Sequence, residues 1–123
     1  MKLSDVVTFD DAVSAVEESN MAEITDFMRK SHDSDARSLV LEAAVGAKKF
    51  SSAPTSEDVL RLIKIACEKV DDVVLSFAGI SAIGVLPVPD QKSLIPWIDF
   101  LKLKSKDMDV RRNALILARK LFP

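Results

Sequence analysis

The 123-residue sequence is poor in the residues that most catalytic and metal sites rely on: it has one cysteine, Cys67, and one histidine, His32. A single cysteine excludes an internal disulfide framework and any multi-cysteine zinc site. A single histidine leaves little material for a histidine-based metal site or a catalytic triad. Glycine (3), proline (5) and aromatic residues (6%) are scarce, while Ala, Leu, Ile, Val, Glu and Lys are plentiful, which favours helix over sheet. Long apolar runs are missing as well. The longest, Val73 to Val88, is interrupted by Ser76, Ser81 and two glycines and meets Pro87, short of the roughly 20 residues a bilayer span requires. The opening Met1-Lys2-Leu3-Ser4-Asp5 lacks the apolar stretch of a secretory signal. The expectation is a chain without a membrane segment, in a reducing, cytoplasmic setting.

What is present is one domain's worth of globular composition, 48% apolar and 29% charged. Such a length buries about two-thirds of the unfolded surface, enough for its own core. Three segments align without an internal gap: Asp33-Ser34-Asp35-Ala36-Arg37, Asp71-Asp72-Val73-Val74-Leu75 and Asp107-Met108-Asp109-Val110-Arg111. Their leading aspartates are 38 and 36 residues apart. Reading forward, small or apolar columns recur: Ala36/Val74/Val110, Val40/Ala78/Ala114, Leu41/Gly79/Leu115, Ala44/Ala82/Ala118 and Ala47/Val85/Leu121. That spacing is the buried stripe of an amphipathic helix. Reading backward, Met21/Val59/Ile95, Ile24/Leu62/Ile98 and Phe27/Ile65/Leu101 mark a second helix in each unit. Each unit is therefore read as helix, short aspartate-bearing turn, helix.

The units are bounded as residues 20–50, 56–86 and 93–123, after an N-terminal capping helix within residues 1–19, all in a single domain. Polar and proline-containing stretches, residues 51–56 and 87–93, separate them. Thr8 and Asp11 are placed to form a reciprocal cap ahead of the apolar stripe Phe9, Ala12, Val13 and Val16. No equivalent cap follows the third unit, so Leu115 and Phe122 are expected at an uncovered edge. That edge would pair with something or lead into a longer array. The recurring aspartates have a physical role as helix N-caps, each worth about 1 kcal/mol. Divalent-metal binding by Asp33/Asp35, Asp71/Asp72 and Asp107/Asp109 is the alternative. It lacks the further ligands and the glycine-bearing loop of a calcium site.

The unit resembles a HEAT repeat, of the kind also found in the phycobilisome-lyase-like group. The third unit carries the resemblance best, through Leu94-Ile95-Pro96-Trp97-Ile98, Asp107-Met108-Asp109-Val110-Arg111 and Ala114-Leu115. The middle unit has Leu75 where the family favours arginine, which interrupts the pattern of an arginine–aspartate ladder between units. The resemblance covers roughly residues 20 to 122. It implies an all-α, right-handed α-α superhelix: a short solenoid of three helix pairs behind the capping helix, with the second helices lining a concave inner face.

On that face, positions opposite the buried stripe are Ser38, Glu42 and Val45 in unit one, Ser76, Ile80 and Ile83 in unit two, and Arg112, Ile116 and Arg119 in unit three. Glu42, Val45, Ile80, Ile83, Arg112, Ile116 and Arg119 are the expected binding residues, an apolar strip flanked by charge. Charge is polarised too. Residues 1–91 hold 9 basic and 16 acidic side chains, a net −7, while residues 92–123 hold 8 and 3, a net +5. A basic patch of this kind steers acidic partners or contacts phosphates.

The chemical inventory is thin. Cys67, beside Ile63, Ala66 and Val70, reads as a buried structural thiol, and His32 as a surface residue before a capping aspartate. There is no phosphate-cradling glycine loop, nucleophile elbow or His-Glu-x-x-His motif. The expectation is a non-catalytic module without cofactor or metal, an adaptor or inhibitor that binds another protein, an acidic one among the candidates. A nucleic-acid-binding module using the basic third unit is the alternative. Aromatics for base stacking are few there, Trp97 and Phe122 among them, and Trp97 is expected to pack within its own helix pair. A third reading is a structural fragment of a longer solenoid, which would self-associate through its C-terminal end.

Overall fold

The computed structural model describes residues 1–50 and 55–122, and every described regular element is helical. Among the described residues eight α-helices follow a 3-10 turn at Leu3–Asp5: α1 (Phe9–Glu18), α2 (Met21–Lys30), α3 (Ser34–Gly46), α4 (Glu57–Glu68), α5 (Val73–Gly84), α6 (Val88–Ser93), α7 (Ile95–Lys104) and α8 (Met108–Leu121). A second 3-10 turn, Lys48–Phe50, follows α3. The proposed separator at residues 51–56 falls largely outside the described residues. The other separator, residues 87–93, proves to contain α6 and is therefore not merely a linker.

The helix starts are written in side-chain chemistry. Asp33, Asp72 and Asp107 each accept a hydrogen bond at 3.0 Å from the backbone N–H three residues on, in Ala36, Leu75 and Val110. The recurrent aspartates are thus caps. Thr8 and Asp11 close the expected reciprocal box at α1, and Asn20 with Glu23 forms a second one at α2. Lys49 donates to the carbonyls of Glu17 and Ser19 at 2.9 and 2.6 Å, satisfying the open C-terminal end of α1.

Helices α1, α3, α5 and α8 pack side by side as one layer, while α2, α4 and α7 form the other. Within each unit the two layers meet, α2 on α3, α4 on α5 and α7 on α8. The core is the seam between them, with Ile24, Met28, Leu62, Ile63, Ile98 and Leu101 buried from one side and Leu41, Leu75, Ile80 and Ile83 from the other.

The middle unit corrects the sequence alignment by one residue. Asp72, not Asp71, caps α5. The turn between α4 and Asp72 holds Lys69, Val70 and Asp71, where the other two units have two residues, Ser31-His32 and Ser105-Lys106. The equivalent columns are therefore Ala36/Leu75/Val110, Arg37/Ser76/Arg111, Val40/Gly79/Ala114, Leu41/Ile80/Leu115 and Ala44/Ile83/Ala118. Val74 and Val85, expected inside, are instead 46% and 75% exposed. Gly79 has a reason to be glycine in this register: a Cβ there would come within 2.9 Å of Cys67 Sγ and 3.2 Å of Ala66 Cβ, so its absence lets α5 lie close on α4.

Helix α6 ties the second and third units together. Buried Asp90 accepts from the N–H and hydroxyl of Thr55 at 3.1 and 2.7 Å. Buried Gln91 donates to the carbonyls of Ile83 and Gly84 at the end of α5, at 3.1 and 3.3 Å.

Candidate interaction surface

The outward face of the α1–α3–α5–α8 layer carries the predicted site, and the one-residue shift decides which side chains reach it. Ile80 and Ile83, expected as exposed contacts, are 1% and 0% exposed and belong to the core. The reason is the choice of cap: starting α5 from Asp72 turns both isoleucines toward the seam. Phe77, Ser81 and Gly84 take their places on the outer face, and all three are exposed. Ser76, also expected there, is fully buried, with its hydroxyl donating to the carbonyl of Asp72 at 2.8 Å.

The remaining positions fall as follows. Glu42, Arg112 and Arg119 are exposed, Ile116 is 57% exposed, and Val45 is half-buried against the core. Phe77 therefore lies in the same row as Ser38 and Arg112, and Ile116 in the same row as Ser81 and Glu42. Val73 and Val74, in the first turn of α5, add exposed apolar surface beside Phe77, and Met108 does so at the start of α8. The sequence signal for Phe77 is only the Asp71-Asp72 doublet, which offers two possible caps without choosing between them.

Beneath this face the units are joined by a polar contact. Arg37, in α3, is buried, and its Nη2 pairs with Asp72 Oδ2 at 3.0 Å while its Nη1 donates to the carbonyl of Met28 at 3.2 Å. The Ser34 hydroxyl donates to the same Asp72 oxygen. Burial by itself raises the Asp72 carboxyl. The hydrogen bonds from Ser34, the Leu75 N–H and Arg37, together with the arginine charge, outweigh it and hold the group below its ordinary value. The expected break in the ladder lies one step further along: Ser76 stands in the column of Arg37, and Asp107 receives no arginine among the described residues.

No family model, curated protein or solved structure matches this chain. Its chemistry has to be read from its own geometry. Among the described residues no group of three or more His, Cys, Asp or Glu side chains converges as metal ligands would. No described helix is long and apolar enough to cross a membrane. Cys67 is buried, and burial, with the Glu68 charge second, pushes its thiol up to about 12, so it is a protonated packing group rather than a ready nucleophile. His32 is exposed in its turn.

Trp97 makes contacts beyond its own unit. It reaches back to α4, its Nε1 donating to Glu68 Oε1 at 3.2 Å while Lys64 Nζ lies 4.6 Å from the ring centroid. It is a tie between units two and three. A surface depression of about 470 Å³ is wide open beside Ser4, Phe27, Lys30 and Asp33, and it brings no convergent set of reactive groups together.

Proposed function

We propose that the chain is a short HEAT-like solenoid, a right-handed α-α superhelix of three helix pairs with α1 as its N-terminal cap, working as a non-catalytic protein-binding module. The two-layer packing, the aspartate cap of each second helix and the α1 cap beside α3 support the repeat reading. The binding surface in this reading is the outward face of the second-helix layer. One observation carries it: Val73, Val74 and Phe77 are each between 41% and 46% exposed on one helix, next to Ile116 at 57% on its neighbour. Apolar side chains gathered on one face, rather than scattered singly, are the mark of a contact surface.

Charge gives that surface direction. Asp35 and Glu42 on α3 lie on one side of Phe77, with Arg112 and Arg119 on α8 on the other. A partner with an apolar centre and a charge gradient of opposite sense fits it, the apolar part supplying affinity and the charges orientation and encounter rate. The test is capture from native lysate by the wild type and by Phe77→Asp/Ile116→Asp, at low and high salt. The wild type retains a protein that the variant loses, with helicity and melting temperature unchanged in the variant. Equal capture by both proteins would sink the assignment.

The basic third unit favours the alternative, a nucleic-acid-binding module. Phosphate binding weakens steeply with salt, by orders of magnitude for several contacts, whereas apolar docking does not. Retention of nucleic acid that vanishes with modest salt would move the assignment to that reading.

A further inference from the structure

The Phe77 face calls for a partner with an apolar centre flanked by charge of opposite sense, and this chain carries such a surface itself. Helix α5 lies between α3 and α8 and has no charged residue from Val73 to Gly84. It exposes Val73, Val74 and Phe77 there. On one flank, the charged side chains that α3 exposes are Asp35 and Glu42, since Arg37 is buried on Asp72. On the other flank, α8 exposes Arg111, Arg112, Arg119 and Lys120, with Asp109 its one carboxylate.

The charges on the two flanks have matching spacing. Asp35 and Glu42 are seven residues apart, and so are Arg112 and Arg119. Seven residues make two helical turns, so each pair stands on one side of its helix, about 10 Å apart. Counted from the capping aspartates, the acids are two and nine along and the arginines five and twelve. One constant offset of three residues, about 4.5 Å of helix rise, separates each acid from one arginine. A guanidinium on its flexible stem spans that offset. Among the described residues none of the four is held in an ion pair, so their charges are open to a partner.

We propose that the occupant of this face is a second copy of the chain, in a two-fold dimer whose axis runs along α5 between the two faces. Such an axis turns the face over and exchanges its flanks. It lays α3 of each copy over α8 of the other, with Asp35 toward Arg112 and Glu42 toward Arg119 of the second copy. Phe77 meets its own counterpart near the axis. A two-fold axis running across the helices would instead set α3 on α3 and α8 on α8, like charge on like. The charge pattern therefore selects the first arrangement. The interface is isologous and closes at two copies. The inference rests on the Phe77 face being a docking surface and adds the identity of what docks.

Sedimentation velocity from micromolar to millimolar protein tests this, with native helicity checked for every variant. The wild type is expected to pass reversibly from monomer to dimer and to grow no further. Phe77→Asp/Ile116→Asp stays monomeric. Raising the salt from about 50 to about 500 mM is expected to weaken the dimer at least about fivefold, since the contact pairs charges near the surface. Glu42→Lys alone and Arg119→Glu alone should each weaken it about tenfold, because each sets like charges across the axis twice. The chain carrying both exchanges has the net charge of the wild type and should recover most of the loss. A wild type that is monomeric throughout would overturn the second copy as occupant. The lysate capture by wild type and Phe77→Asp/Ile116→Asp would still decide separately whether the face docks another protein. Growth past the dimer, dimerisation of Phe77→Asp/Ile116→Asp, or a double exchange no tighter than the single ones would overturn the proposal as well.

Discussion

The first two units are joined through a buried arginine–carboxylate pair, whereas between α5 and α8 the second and third meet by apolar packing, with the α6 hydrogen bonds and a tryptophan at the edge. Arg37 spends a buried guanidinium on Asp72, and its Nε finds no partner among the described residues. Ser76, in the same column one unit on, turns its hydroxyl back on its own helix and asks nothing of Asp107. Both junctions place a cap aspartate at the start of the next helix. The aspartate therefore persists because the helix needs its cap, while the arginine is one of two ways of filling the space before it. A buried pair brings little net stability over apolar residues of equal volume, yet it is costly to break from one side. The contrast is one of specificity of docking more than of strength.

The comparison can be broken hardest at the apolar junction. Ile80→Asp places an unpaired carboxylate at a site 1% exposed, and a loss above about 4 kcal/mol is expected, read as loss of cooperative unfolding by circular dichroism. Retention of a normal melting transition would return Ile80 to the surface and undo the corrected register. Next comes Arg37→Ala, which strands Asp72 and empties a buried volume; about 3–5 kcal/mol should be lost in denaturant unfolding. A cost below 1 kcal/mol would mean that the ion pair is solvated. Asp107→Ala removes a cap without stranding a charge, so about 1 kcal/mol is the expected cost by the same measurement. An equal cost for Arg37→Ala and Asp107→Ala would erase the difference between the junctions.

The smallest effect is in pH. Asp72 is held below its ordinary carboxyl value in the folded state, so its contribution is complete above the unfolded value of 3.8 and is lost as pH falls through the lower, folded value. Asp72→Asn should flatten the stability–pH curve below about pH 4 relative to the wild type, measured by urea unfolding at each pH. An unchanged slope would show that other carboxylates carry the acid sensitivity.

Cys67 and Gly79 show how much of the core was legible. Burial of Cys67 followed from its apolar neighbours on one helical face, because an amphipathic period is a local property. Gly79 was assigned to the right helix but the wrong column, because α5 is apolar nearly all round and its period does not say which side faces in. The same ambiguity misplaced Ile80 and Ile83. On α8, with charged residues spaced between apolar ones, Arg112, Ile116 and Arg119 came out exposed as read. The contacts of Trp97 with Lys64 and Glu68 were not legible for a different reason: those partners lie a full unit earlier, and no local pattern announces a contact at that separation.

The sequence by itself determined the helices other than α6 and the aspartate caps of α3 and α8. Those depend on hydrogen bonds and apolar periods that act within a few residues, and an aspartate at a helix start is satisfied by its own chain. Only the tertiary structure decided which of Asp71 and Asp72 caps α5, and with it which residues face outward. The choice falls to Asp72 because burying Leu75, Ile80 and Ile83 against α4 and the neighbouring layer helices removes more apolar surface from water than burying Val74, Ala78 and Val85 would. That gain exists only once the other helices are in place.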